Sequence, residues 1–465
     1  MAARRTTAVR GKWVLTFDAG RPVLLENRYV VIEGDVIAGI ARRKPAVDRV
    51  IEPPEGLVLP GLINLHNHCI ASVLFRGVTE DMETVDFATE LVYRVLFPLG
   101  NVAQERLSQA DMKAVVKLAL LELVKGGTTT LMETFRNGLV STFDAAREMG
   151  LRFYAAPYVF SSRPLNVDAG GEPTYKAEDR GQADIARAIE LFREHDGSAN
   201  GRIRVAIAPH GVDTCGPDVL RGVRQAADQL GCLITIHLSQ SLGEAEVTRQ
   251  RYGKSPTEYL ESVGLLGPDL LAAHCIRATD SDLDRLKAAD VTVVNCPQTF
   301  ARGGMFAPFW RFAGRGIRTT LGTDGYCMDF VSEIRAAGLV SKLEAGQSGV
   351  ATAEQLIRAA TLDGATALRR TDLGRIAEGA RADLVIADLS KPHFQPVSDP
   401  LRTFLWNGRG SDVWGSMVDG RMLVEKKRFR LSDEAQIVRA GVAAVRKLWR
   451  TKEARAILAS AHPPR

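Results

Sequence analysis

The run Leu57-Val58-Leu59-Pro60-Gly61-Leu62-Ile63-Asn64-Leu65-His66-Asn67-His68 constrains this chain more than any other stretch. An apolar segment of strand length ends in two histidines spaced i, i+2. On a strand, His66 and His68 therefore point one way and Asn67 the other. Burying two neighbouring imidazoles without partners is costly, so the pair reads as half of a metal site.

The residues beyond this run set the fold. Apolar segments alternate with amphipathic ones that close on glycine, as Arg106 to Val124 does at Gly126-Gly127 and Val140 to Met149 does at Gly150. Strands are expected at Thr128–Glu133, Arg152–Val159, Ile203–Pro209, Cys232–His237, Leu270–His274, Val291–Asn295 and Arg318–Gly322. Counted with the opening run they number eight over about 300 residues, the order of a (β/α)8 TIM barrel. A doubly wound sheet would want a Gly-rich phosphate turn after its first strand, and none is present. The two ends of the chain carry short β-rich runs such as Trp13–Phe17, Tyr29–Ile32, Asp383–Ile386 and Gly420–Val424. Neither end alone has enough strands to bury a face, so a composite β-sandwich is expected. The expected division is 1–59 and 371–430 for that sandwich, 60–370 for the barrel, and 431–465 for a helix and tail. The helix, Ser432 to Ala459, is expected to pack on the surface or between subunits of a homo-oligomer. The polar connection from Ser161 to Gly181 reads as an active-site lid or a surface loop.

Charge and composition exclude several classes. Sixty basic and 55 acidic residues leave a net charge of only +5 over 465 residues, without a long basic run, so no nucleic acid partner is expected. No stretch approaches the roughly 20 apolar residues of a membrane span, so no membrane partner is expected either. The basic start, Ala3-Arg4-Arg5, has no apolar region behind it and is not a signal peptide. Six cysteines without a CxxC pair read as buried thiols of a reducing cytoplasm. The expected partner is a small-molecule substrate.

The histidines then become informative. Of eight, His66, His68, His210, His237 and His274 fall at the C-terminal ends of expected barrel strands, where barrel enzymes keep their sites. Asp324, in Leu321-Gly322-Thr323-Asp324, brings a carboxylate to the same rim. His66, His68, His237 and Asp324 supply the donors for one divalent metal ion, zinc in the first place, with iron(II) or cobalt compatible. His210 reads as a substrate contact or as a hydrogen-bonded structural residue.

These residues carry a family resemblance. Pro60 to His68, Ile236-His237-Leu238, Ala273-His274-Cys275 and Leu321 to Asp324, in this order, resemble the amidohydrolase superfamily. The chain is more closely similar to the branch of s-triazine hydrolases and S-adenosylhomocysteine or guanine deaminases. Ala208-Pro209-His210-Gly211 resembles that branch's fourth-strand motif, and Gly374 to Val385 its C-terminal β segment. The resemblance implies a barrel with a composite sandwich and one metal held at His66, His68, His237 and Asp324, with His274 close by.

One departure bears on substrate. Family deaminases carry a glutamate three residues after the fifth-strand histidine, where this chain has Gln240. Deaminating a heteroaromatic ring asks for a proton on a ring nitrogen, and an amide has none to lend. The seventh-strand loop is also aromatic, with Phe300, Phe309 and Trp310 as expected substrate contacts or, equally, core residues. In both departures the chain resembles phenylurea hydrolases and the related molinate thiocarbamate hydrolase. The expectation is therefore hydrolysis of an aryl- or apolar-substituted urea, carbamate or amide by metal-activated water. Asp324 would move the proton and His274 would assist. The alternative is an aminohydrolase of a purine, pterin or triazine ring in which Glu244 or Glu133 replaces the missing glutamate. A non-catalytic assembly protein is disfavoured, because every ligand position is filled.

Overall fold

The computed structural model describes residues 5–84, 86–167, 173–177, 180–306 and 308–461, with 162–167 and 173–177 as backbone alone. Its centre is a ring of parallel strands: Leu62–Asn67, Thr128–Phe135, Arg152–Val159, Ile203–Val205 continued by Ala208–Pro209, Ile234–Leu238, Leu270–His274, Thr292–Asn295 and Thr319–Leu321. They pair in sequence order, and parallel bridges between Ile207 and Ile234 and between Asn67 and Asp324 close the circle. Inward residues such as Leu65, Met132, Ala156, Ala206, Leu271 and Val294 fill the interior. Helices bury the outer faces, which is why these strands read as continuous apolar runs.

The chain ends build one nine-stranded sheet. Its middle strand, Gly56–Pro60, runs parallel to Thr6–Asp18 and antiparallel to Leu384–Asp388, so residues more than 300 positions apart lie side by side. The opening run is therefore not one strand but two, in different sheets, divided at Gly61. A side chain there would put its Cβ 2.1 Å from Thr129 Oγ1, and the Gly61 N–H donates to the Asp383 carbonyl at 2.9 Å. Only glycine lets the chain cross this closely against the second barrel strand.

Two helix boundaries differ from expectation for local reasons. The helix expected from Arg106 runs Gln109–Lys125, because Leu107 is extended and Ser108 makes a reciprocal capping box with Asp111. The closing helix is two, Glu434–Trp449 and Lys452–Ala461; the first buries Ile437, Ala444, Val445 and Leu448 against the barrel's outer helices. Trp449 Nε1 donates to the Leu74 carbonyl at 2.8 Å, fastening the segment beside the first barrel strand. The 161–181 connection, read as lid or loop, lies partly outside the described residues; its described backbone pairs Ser162–Val167 with Pro173–Ala177 antiparallel. All six cysteines are free, five of them buried. Among the described residues no helix is long and apolar enough to cross a membrane.

An ion pair links the barrel to the sheet. Arg152, at the start of the third barrel strand, is fully buried and donates to Asp383 at 2.6 and 3.0 Å and also to Asp419. Removing Asp383 leaves the buried Arg152 guanidinium with Asp419 alone, so Asp383→Ala is expected to cost about 3 kcal/mol, the low end for breaking a buried pair, in denaturant unfolding.

Candidate active site

The barrel's strand ends bring His66, His68, His237, His274 and Asp324 together. His66 is fully buried on the first strand, and neither ring nitrogen has a hydrogen-bond partner among the described residues. His68 caps the helix Cys69–Leu74, with Nδ1 3.1 Å from the Thr134 carbonyl. His237 is the penultimate residue of the fifth strand, with Nδ1 2.9 Å from the His210 carbonyl. A carbonyl only accepts, so each Nδ1 carries the hydrogen and each Nε2 turns a lone pair inward. Those two Nε2 atoms face each other at 3.4 Å. Lone pairs so placed repel unless a cation lies between them, and tetrahedral ligands about 2.1 Å from an ion stand about 3.4 Å apart.

Asp324 completes the cluster. Its Oδ1 lies 3.2 Å from His68 Nε2 and 3.8 Å from His66 Nε2, and its Oδ2 lies 4.0 Å from His274 Nε2. The ligand atoms of His66, His237 and His274 lie within 4.8 Å of one another, as do those of His66, His68 and Asp324. Backbone strain holds this geometry: Asp324 has φ 54° and His274 φ 78°, in the left-handed region. Asn64 and Asn67 each donate to Thr323 Oγ1 at 2.7 Å, and the Asp324 N–H donates to the His66 carbonyl at 2.9 Å. These bonds lock the first and eighth strands in register.

The electrostatics suit a cation. Burial pushes His66 well down, helped by His68 and His274, and pushes His237 down with help from His66 and His210. Burial also takes His274 down to about 4. For Asp324, burial opposes ionisation, but the bond to His68 and the charges of His274, His68 and His66 hold it well below the usual carboxylate range. His68 moves the other way: burial opposes its charge, yet the bond to Asp324 and the charges of Asp324 and Glu133 raise it. A metal would displace that proton, so ion uptake is coupled to proton release.

A cavity with two lobes opens over the cluster; the lobes share His68, Phe75, Val92, Leu96 and His237. The first lobe runs toward the second and third strand ends, past Glu133, Thr134, Arg136 and Tyr158. The second holds Gln240, His274, Thr299, Phe300 and Asp324. The segment from Phe87 to Arg106 supplies apolar wall to both, and its turn Leu91–Leu96 is a π-helix, a form that marks functional segments.

The expected substrate contacts divide. His210 lines the first lobe; its Nδ1 lies 3.0 Å from Thr214 Oγ1, whose hydroxyl donates to the Gly211 carbonyl, so His210 Nε2 is left as an acceptor. Burial takes His210 down to about 3, and it stays neutral. Gln240 and Phe300 line the second lobe, and the Phe300 ring stands 4.8 Å from that of His274. Phe309 and Trp310 must be corrected: neither lines the cavity. The helix Phe309–Ala313 turns the chain back toward the eighth strand, burying Phe309 beside Leu321, Phe330 and Ile334. Trp310 covers Gly314 and donates its backbone N–H to Ser341 Oγ. Ala307, in the same loop, lies outside the described residues.

The two spare glutamates also separate. Glu244 is fully buried, and its two oxygens accept the N–H of Ser239 at 3.0 Å and of Gln240 at 2.7 Å; it lines neither lobe and is spent on the backbone. Glu133 lines the first lobe and accepts the Cys69 N–H at 2.7 Å. Burial pushes Glu133 up to about 8. A carboxyl raised in the folded state binds its proton where the unfolded chain, near 4.5, has released it, so stability falls as pH rises from about 4.5 to about 8. Glu133→Gln is expected to flatten that part of the melting-temperature profile of the metal-stripped protein. An unchanged slope would contradict the burial account. The roof residues Phe87, Leu91, Val92 and Leu96 and the strand-end Tyr158 are not evident from the sequence pattern. Tyr158 was findable by the strand-end rule that found the histidines.

Comparison with known proteins agrees with this architecture. A family model described as the amidohydrolase family matches residues 57–423. A 5'-deoxyadenosine deaminase of Methanosarcina acetivorans is 31% identical over 448 residues, covering 95% of this chain and 98% of the relative. A 5-methylthioadenosine/S-adenosylhomocysteine deaminase of Pyrococcus abyssi is 32% identical over 427 residues, covering 90% and 94%. An adenosine deaminase structure from Xanthomonas campestris with bound zinc superposes with a TM-score of 0.84 at 25% identity, covering 96% of this chain and 99% of the other. The zinc complex of atrazine chlorohydrolase from Arthrobacter aurescens shares the fold with a TM-score of 0.83 at 24% identity, covering 94% and 100%.

The chain belongs to the amidohydrolase family. It is an enzyme of C–N bonds, and its full-length relatives are deaminases of adenine nucleosides. That overturns the expected urea or carbamate hydrolysis: chains similar over nine-tenths or more of this sequence carry names of adenosine-type deaminases, so Gln240 and the aromatic loop do not mark an acyclic substrate.

Proposed function

We propose that this chain is a metal-dependent aminohydrolase of an adenine-type nucleoside, replacing the ring's amino group by oxygen and releasing ammonia. The full-length similarity to 5'-deoxyadenosine and 5-methylthioadenosine/S-adenosylhomocysteine deaminases carries this reading. The strand-end cluster supports it. His66, His68, His237 and Asp324 are the proposed ligands of one divalent ion, zinc in the first place, with His274 beside them. The unpartnered His66 and the facing Nε2 atoms of His68 and His237 fit such an ion. When bound, the metal supplies Lewis-acid polarisation and lowers the pKa of water toward neutrality.

The protein's own groups do the rest. Asp324, held ionised, accepts one proton from the attacking water and returns it to the departing nitrogen as the C–N bond breaks, while the water's second proton ends on the ring nitrogen, so that the products are a ring carbonyl, a ring N–H and ammonia. His274, neutral, lies within 4.0 Å of Asp324 and hydrogen-bonds oxygen as it replaces nitrogen. His210 offers an acceptor from the first lobe, and Gln240 and Phe300 border the ring in the second. The apolar roof lowers the local dielectric, which strengthens each of these interactions.

Ammonia release from 5'-deoxyadenosine is the test. The zinc-reconstituted enzyme is expected to release one ammonia per nucleoside, and the chelator-stripped enzyme none until metal is restored. Turnover that is indifferent to metal, or absent on adenine nucleosides, would sink the proposal.

A further inference from the structure

The first half of the roof is seated on the strand-end loops through close contacts and two polar catches. Gly243, in the loop after the fifth strand, has no room for a side chain, since a Cβ there would stand 2.7 Å from Thr89 Oγ1. Gly303, in the loop after the seventh strand, is pressed against Phe87, and a Cβ would overlap that ring. The first catch is Asp86, whose Oδ2 accepts the Thr89 hydroxyl at 2.6 Å and the Gly243 N–H at 3.0 Å. In the second, buried, the Tyr93 hydroxyl donates to Asp213 Oδ2 in the loop after the fourth strand. Both catches therefore reach from the roof to the barrel.

With the roof down there is little space beneath it. The two lobes hold about 90 and 40 Å³, whereas small-molecule sites run about 300–1,000 Å³, so a ring and sugar enter only if a wall gives way. The wall free to give way is Asp86–Leu96. The helix that follows, Phe97–Arg106, sets Leu99, Val102 and Ala103 into the main core and stays. On the other side, residues 81–84 are exposed or half-buried, and Asp81 sits at φ 61°, in the left-handed region. Between these limits Leu91–Leu96 is π-helical, with the Phe97 N–H donating to the Val92 carbonyl five residues back. Such a turn carries one residue more than an α-helix needs, and hinges are built from element ends of this kind.

We propose that Asp86–Leu96 is a gate that lifts from the strand-end loops to admit substrate and release product, held shut by the Tyr93–Asp213 and Asp86–Gly243 catches. The gate governs passage to the cluster for whichever substrate the cluster takes; 5'-deoxyadenosine serves as its probe under the aminohydrolase reading above.

A lock tests it. A Cβ on residue 243 would lie 3.6 Å from that of Thr89, within the roughly 3.5–4.5 Å that a disulfide spans, so Thr89→Cys with Gly243→Cys can be bridged. In the zinc-loaded, full-length double variant, oxidation is expected to lower kcat/KM for 5'-deoxyadenosine at least a hundredfold with zinc retained, and reduction by a phosphine to restore it. Thiol titration confirms the bond. Equal turnover in the oxidised and reduced forms would overturn the gate, as would zinc lost on oxidation, since the bond would then act on the cluster itself. Hydrogen exchange of Tyr93→Phe reads the second catch without a new cross-link or a substrate. Removing a hydrogen bond to a carboxylate is expected to speed exchange of the amides in 87–96 about tenfold or more and to leave the strand Thr128–Phe135 unchanged. Exchange unaltered in 87–96, or raised equally throughout the barrel, would overturn the catch. A wild-type enzyme that releases no ammonia from adenine nucleosides fails the aminohydrolase reading instead, and the exchange experiment still reads the gate.

Discussion

Asp324→Asn is expected to lower kcat about a thousandfold, within the range that a positioned acid–base group contributes. The carboxylate is drawn toward His66, His68 and His274 at once, and those contacts keep it ionised despite its burial. Asparagine keeps the shape and one acceptor but takes up no proton. It also removes the negative charge that faces three imidazoles, so zinc occupancy is expected to fall as well. Rates measured at saturating zinc separate the two losses. A variant that keeps its rate once loaded would show that Asp324 is a ligand alone.

Gln240→Glu is expected to act in the opposite direction. A carboxyl in the second lobe beside Asp324 and His274 would be buried, and burial raises carboxyls here: Glu133 and Glu244 are both taken up to about 8. It would therefore hold a proton at neutral pH, keep the hydrogen-bond pattern of the amide, and deliver that proton to the ring nitrogen. General acid catalysis of this kind contributes about 10²–10⁴-fold, so kcat is expected to rise by at least the lower figure while KM changes little. Steady-state rates across pH 6–9 check this. A fall in kcat would show that the wild-type enzyme protonates its substrate from elsewhere and that the introduced charge only disturbs Asp324.

The barrel was legible because parallel strands buried on both faces leave continuous apolar runs, and because glycines such as Gly150 punctuate the helices. The histidines and Asp324 were legible because such residues are conspicuous at the ends of those runs. The break at Gly61 was not, because it depends on Thr129 of a neighbouring strand and on Asp383 some 320 positions away. The roof was hidden for a similar reason: Phe87, Leu91 and Leu96 read as ordinary helix apolarity until the fold lays them over the strand ends. Phe309 and Trp310 show the converse, since an aromatic-rich loop can face the core as readily as a cavity. Gln240 was read correctly as lacking a proton and incorrectly as implying an acyclic substrate. The local residue cannot distinguish an enzyme that has no ring to protonate from one that recognises the ring without protonating it there.

The most direct measurement is mass spectrometry of the product formed from 5'-deoxyadenosine by the zinc-loaded enzyme in ¹⁸O-labelled water. One ring amino group is expected to be exchanged for one labelled oxygen, with the sugar and its 5' end intact and ammonia released in equal amount. Unaltered nucleoside under conditions where zinc is bound, or a product cleaved elsewhere with its ring amine retained, would contradict it.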